Sequence, residues 1–297
     1  MRTKNVAVSR PFHELAAAAM AHKKLHLRPQ SFATDARRLD TLLVGIGELS
    51  IEQVNFEFWS RVLADLKNEG LSNATVNRYR SLASSIFTFG MRAGLVQTNP
   101  IARVLRFRES ESRVRYLLDA EEIKLREVIR RDCPDREAEM DLALYTGMRR
   151  GEQFSLKWLD VDLVRRRLTV YGKTGRRYVV ANSSAVEALN KLLRRRDLEL
   201  ERTGAEGSIY VCDETLNDTQ RDWRRWFERS LREAGIKNFR WHDLRHTFAS
   251  RLVMADVNLS AVQALLGHKS ILMTMKYAHL SPDHTLAAAE KIGGQIQ

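Results

Sequence analysis

Apolar residues recur at helical spacing along almost the whole chain, and one short alternating stretch interrupts them. That pattern confines the fold to a mainly α architecture carrying a small antiparallel β-sheet. Over 11–94 the segments "PFHELAAAAMAHKKL", "SFATDARRLDTLLVGIG", "NFEFWSRVLADLKNEG" and "SNATVNRYRSLASSIFTFGMRAG" follow one another with Gly or Pro punctuation between them. The last is the clearest. Ser72 or Asn73 can cap its start, and Val76, Tyr79, Ala83, Ile86 and Phe87 line one face. Gly94 suits the left-handed position just past its end. Arg78, Arg80 and Arg92 lie among these residues, open to phosphate contacts or to plain solvation.

A change of texture follows. "NPIARVLRFRESESRVRYL", residues 99–117, opens with Asn-Pro, is dense in charge and lacks periodicity, as a linker between domains does. We therefore expect a tail at 1–10, a helical domain at 11–100, a linker at 101–114 and a second domain at 115–297. The second domain opens with "DAEEIKLREVIRR", where Asp119 reads as the cap of an acidic first turn. "AEMDLALYTGMRRGEQFSLKW" reads as helix, Gly-bearing turn, helix. In "RRLTVYGKTGRRYVVAN" apolar and polar residues alternate on both sides of "GKTG", which predicts a hairpin. Helices resume near 183.

Charge narrows the partners. The 49 Lys and Arg exceed the 37 Asp and Glu, leaving a formal net charge of +12 and a pI near 9.9. Arg outnumbers Lys, and its planar fork matches phosphate geometry. A polyanion, nucleic acid ahead of a membrane surface, is the partner this balance implies. Only Cys133 and Cys212 occur, without a pairing or metal-ligand motif, which fits a reducing cytoplasm. No apolar run approaches the ~18 residues of a membrane span, and the N-terminus lacks a signal-peptide core.

Four further stretches carry side chains suited to chemistry. In "RWHDLRHTFASRLVMADV", Leu244, Phe248 and Leu252 form a buried helical stripe, with His242 and Arg245 three apart near the helix start. In "VNLSAVQALLGHKS", Gly267 can supply a left-handed cap that fixes His268 at a corner. Ser270 can cap the next helix, on which Thr274 and Tyr277 share a face. In "YTGMRRGEQFSLKW", Gly147 breaks the helix, Arg149 follows, and Glu152 is placed to orient a guanidinium. Lys173 sits at the hairpin tip; "GKTG" lacks the spacing of a nucleoside-triphosphate loop. Each of these, taken singly, also has a bland reading as packing or solvated charge. Together they supply cations for a phosphate, proton donors and acceptors, and a hydroxyl nucleophile, with no acidic cluster for a metal.

"TGMRRGE", the "KTGRR" hairpin, "HDLRH", "LLGH" and "MTMKYAH" occur in the order and at the separations of the tyrosine recombinase (phage integrase) family, which residues 115–285 resemble. Residues 11–100 are similar, more loosely, to that family's helical, SAM-like core-binding domain. The resemblance implies that Arg149, Lys173, His242, Arg245, His268 and Tyr277 form the catalytic set, with Tyr277 the nucleophile. It implies double-stranded DNA recombination sites as substrate, a homotetramer on DNA, accessory DNA-bending proteins as further partners, and neither cofactor nor metal. "YVVANSS" departs from the family's Val-Pro-Leu after the hairpin. No room is seen before residue 11 for the arm-binding domain of some phage integrases. "SPDHTLAAAEKIGGQIQ" reads as a marginal helix that must dock on something, its own domain included; the resemblance implies docking into a neighbouring protomer. Two other functions remain: type IB topoisomerase-like relaxation, and a DNA-binding regulator without catalysis.

Overall fold

The computed structural model describes residues 10–109, 114–172, 175–204, 207–212 and 222–281. The chain divides into two compact units, Met1–Ser112 and Arg113–Gln297.

The first unit packs α1 (Phe12–His26), α2 (Pro29–Leu43), α3 (Phe56–Asn68) and α4 (Asn73–Arg92) around one core. Ser72 is the residue that caps α4, accepting from the Thr75 N–H, and Gly94 takes the left-handed conformation beyond its end. The predicted face of α4 is the buried one, and Phe87 joins Phe12 and Trp59 in an aromatic cluster with ring separations of 5.5–6.2 Å. Residues 100–104 differ from the expected linker: Pro100–Arg103 forms a 3-10 turn, and Ile101 and Val104 are buried in this core. The cause is Arg80, whose Nε donates to the Val104 carbonyl at 2.7 Å and whose Nη2 donates to that of Ile101 at 3.2 Å. Asn77 does the same one turn earlier, pairing its amide with both backbone groups of Phe107. Arg80 is thus a structural clip. Arg78 and Arg92 are exposed.

The second unit contains α5 (Asp119–Asp132), α6 (Glu137–Thr146), α7 (Arg150–Phe154), β1 (Val161–Asp162), β2 (Arg167–Gly172), β3 (Gly175–Val180), α8 (Ser183–Thr203), α9 (Asp222–Glu233), α10 (Trp241–Met254), α11 (Leu259–Leu266) and α12 (Leu272–Met275). The strands form an antiparallel sheet in the order β1-β2-β3, and the hairpin closes with Gly172 opposite Gly175. Leu168, Val170 and Val179 turn one sheet face into a core shared with α6 and α8. Asp119 is the first residue of α5 and not its cap; the Glu121 carboxylate accepts the Leu118 N–H instead. A second core gathers Trp226, Phe227, Phe239 and Trp241 beside α5 and α6. A third, smaller one joins Ala249 and Val253 of α10 to Val262 and Leu266 of α11, and Tyr277 belongs to it.

No helix among the described residues is long and apolar enough to cross a membrane. The C-terminal helix expected after Ser281 lies outside the described residues.

Candidate active site

Two left-handed glycines set the geometry. Gly147 ends α6 at φ 59° and Gly267 ends α11 at φ 63°. A side chain at either position would be strained by that backbone and crowded besides. A Cβ on Gly147 would stand 2.4 Å from Cδ1 of Phe248, and one on Gly267 would stand 2.7 Å from Cδ of Arg177. The turns they permit bring backbone carbonyls together around Arg245, which is 3% exposed. Its Nη1 donates to the Gly147 carbonyl at 2.6 Å and its Nη2 to that of Leu266 at 2.7 Å. Burial, then the nearby Arg149 and Arg177, push its pKa down to about 10. Arg245 thus binds α6, α10 and α11 together with its charge in place.

Arg149 precedes α7 and is oriented by Glu152, as the sequence predicts: Nη1 donates to Oε1 at 2.9 Å, and the Arg149 backbone N–H donates to Oε2 at 2.9 Å. The sequence did not reveal the second partner. Arg177 of β3 donates from Nη2 to Oε2 at 2.7 Å and from Nε to Oε1 at 3.2 Å, while its Nη1 reaches the Leu265 carbonyl at 3.3 Å. Burial alone would raise the Glu152 carboxyl, but hydrogen bonds from Arg177 and from the Arg149 backbone outweigh it and hold the pKa near 2. One buried carboxylate therefore ties the hairpin base, Arg149 and the α11 corner into a single unit. Arg177 was legible in one respect: it alternates in phase with buried Val179, and an arginine on the inward face of a strand needs a partner.

His268 leaves the Gly267 corner with its Nδ1 2.9 Å from the Thr274 hydroxyl. Burial, reinforced by Arg245 and Lys276, lowers its pKa to about 4, so the ring is neutral at pH 7. His242 is lowered as well, by burial and then by Arg245. Helix α12 is shorter than the sequence pattern implied: it stops at Met275, and Tyr277 opens a 3-10 turn over Ala278–Leu280. Thr274 and Tyr277 are both buried, at 0% and 1% exposure. The Tyr277 hydroxyl lies 2.6 Å from Nδ1 of His246, a residue that the sequence motifs did not single out. Lys276 places its Nζ 5.0 Å from the centroid of the Tyr277 ring.

Burial raises the Tyr277 pKa to about 12; Arg245 favours the phenolate but is outweighed, and Asp243 adds to the rise. The hydroxyl therefore keeps its proton in the DNA-free protein. Lys173 lies outside the described residues. The other five expected site residues converge from the α6–α7 turn, α10, the α11 corner and the segment after α12. Their surroundings, with Arg177 and Lys276, are strongly cationic and only partly balanced by Glu152 and Asp243. Such a site is electrostatically suited to an anion and to negative charge that develops on it. Among the described residues, no group of three or more His, Cys, Asp or Glu side chains is gathered so that it could hold a metal ion.

The phage integrase family profile matches residues 111–284. The tyrosine recombinase XerC of Bacillus pumilus is 31% identical over 241 residues, covering 78% of this chain and 79% of that protein. In fold, the chain is similar to the Tn1549 transposon integrase in complex with a circular intermediate DNA, with a TM-score of 0.78 at 20% identity, covering 97% of this chain and 100% of that one. It is also similar to a lambda integrase tetramer bound to a Holliday junction, with a TM-score of 0.74 at 23% identity, covering 94% and 79%. From the profile match and the XerC relative together, this chain belongs to the phage integrase family and is a tyrosine recombinase.

Proposed function

We propose that the chain recombines two double-stranded DNA sites of defined sequence, cutting and rejoining them through a 3′-phosphotyrosyl link at Tyr277. The observation that supports this reading is that Arg149 and Arg245 meet at the Gly147 and Gly267 corners next to His268, while the His242 ring lies against His246, the partner of the Tyr277 hydroxyl. Arg149, Arg245 and His268 bind the non-bridging oxygens of the scissile phosphate. Lys173 is the general acid for the departing 5′ oxygen, and His242 assists proton transfer. Attack by the tyrosine oxygen on phosphorus breaks the P–O5′ bond and leaves a free 5′ hydroxyl. The new phosphodiester keeps the energy of the old one, so rejoining to a partner strand is close to thermoneutral.

The likeness to integrases bound to a circular intermediate and to a Holliday junction supports DNA as the partner. It also supports four protomers acting on two sites, which serve integration or excision of a mobile element in the cytoplasm. Accessory DNA-bending proteins fit the same scheme. The exposed Arg78 and Arg92 of α4 supply further phosphate contacts from the helical unit.

The test is a plasmid carrying two copies of the DNA that flanks the chain's own gene. Inversion or excision between the copies is the expected outcome. Relaxation of supercoils on a plasmid with one copy, without exchange on the two-copy plasmid, would instead assign a topoisomerase.

A further inference from the structure

His246 sits one turn beyond His242 on α10, its ring 5.1 Å from that of His242 and 5.7 Å from that of Tyr277. Its Nδ1 is the group that meets the nucleophilic hydroxyl, at 2.6 Å. That hydroxyl is closed off from solvent, so bulk water is not at hand to take its proton. The groups facing His246 are Lys276, His242, Arg245 and His268, and each disfavours an imidazolium. A neutral ring with its proton on Nε2 offers the Nδ1 lone pair, and in that tautomer the tyrosine O–H donates to it. A proton acceptor must lie within hydrogen-bond reach of the proton that it removes, and His246 satisfies this before any DNA has bound.

We propose that His246 is the general base that deprotonates Tyr277, a role that rests on Tyr277 being the nucleophile. The hydroxyl proton passes to His246 Nδ1 as the tyrosine oxygen bonds to phosphorus. The P–O5′ bond breaks, and the 5′ oxygen takes a proton from the general acid assigned to Lys173. One proton is accepted and one is delivered, with no change of oxidation state. On rejoining, a 5′ hydroxyl attacks phosphorus, and the departing tyrosine oxygen recovers its proton from His246.

The same surroundings keep the nucleophile idle without substrate. Burial and the neighbouring cations hold His246 down to about 3, while burial holds Tyr277 up to about 12, so proton transfer is strongly uphill. A phosphodiester anion seated among Arg149, Arg245 and His268 opposes the positive field that disfavours the imidazolium. Base strength thus arrives with the DNA. Asp243, whose own carboxyl is pushed up by burial, is the acidic group on the Tyr277 side.

The experiment compares His246→Asn with the wild type in single-turnover cleavage of a nicked duplex taken from the DNA flanking the gene. Asn places an acceptor oxygen near the Nδ1 position but cannot carry the proton. Cleavage at pH 7 should fall ~100- to 10,000-fold, with DNA binding within about threefold of the wild type. The deficit should shrink about tenfold for each pH unit as the assay is made more alkaline, because phenolate then forms without a base. A 5′-bridging phosphorothiolate, whose leaving group needs no proton, should leave the deficit in place. Cleavage within about threefold of the wild type, or recovery with the sulfur substrate, would overturn the assignment. If the variant does not fold, nitrogen-15 spectra of the wild type decide. An unprotonated Nδ1 on His246 that shifts in Tyr277→Phe supports the proposal, and a protonated Nδ1 refutes it. An adduct formed by Tyr277→Phe would instead defeat the nucleophile assignment on which this inference stands.

Discussion

Glu152→Gln preserves the shape of a side chain that is 3% exposed and removes the one carboxylate shared by Arg149 and Arg177. The cost can be worked from the site. The carboxyl is held near 2 against an ordinary 4.5, and at about 1.4 kcal/mol per tenfold change this corresponds to about 3 kcal/mol. Removing one partner of a buried ion pair costs about 3–5 kcal/mol, which agrees. Near-complete burial means that solvent screening does little to reduce it. The folded-state pKa is depressed, so this stabilisation is present above pH 4.5 and is lost as pH falls through about 2. Urea unfolding of the wild type and the Gln variant at pH 7 should therefore differ by about 3 kcal/mol. At pH 3 the gap should narrow to about 1 kcal/mol. A difference below about 0.5 kcal/mol at pH 7, or a gap that does not close on acidification, would refute the claim that Glu152 binds these elements together.

Three arginine substitutions separate structural from DNA-facing roles. Arg78→Ala and Arg92→Ala should leave thermal stability unchanged and should each reduce the salt slope of DNA binding by about 0.9, measured by fluorescence anisotropy. Arg80→Ala should instead lower the melting temperature, because the Val104 carbonyl loses its side-chain donor and the Ile101 carbonyl keeps only the Val104 N–H; a normal melt with a reduced salt slope would reverse that assignment. Truncation after Ser281 should preserve binding to one site but prevent paired-site assembly on native gels, and tetramers formed by the truncated chain would contradict a docking role for the C-terminal segment.

The helical frame was legible because its signals are local. The buried face of α4, its Ser72 cap and the left-handed Gly94, Gly147 and Gly267 all follow from spacing and glycine placement. What spacing could not give is which polar groups meet across long separations. Arg177 reaches Glu152 over 25 positions, and His246 reaches Tyr277 over 31. Arg80 was grouped with phosphate-binding candidates because nothing local shows that carbonyls from 101 and 104 fold back onto it. The protonation state of Tyr277 is beyond the reach of sequence motifs for a related reason. Neighbouring arginines can be counted from motifs, whereas the burial that outweighs them depends on α10 and α11 closing over the ring.

The central claim, that Tyr277 is the nucleophile for strand cleavage, is tested most directly by trapping the covalent intermediate. A nicked duplex from the DNA flanking the gene, labelled on the cleaved strand, is incubated with the protein and run under denaturing conditions, and the labelled peptide is mapped by mass spectrometry. The wild type should retain a 3′-linked strand on the peptide containing Tyr277, and Tyr277→Phe should bind the duplex equally well and retain none. A denaturation-stable adduct in Tyr277→Phe, or one mapped to another residue, would contradict the account.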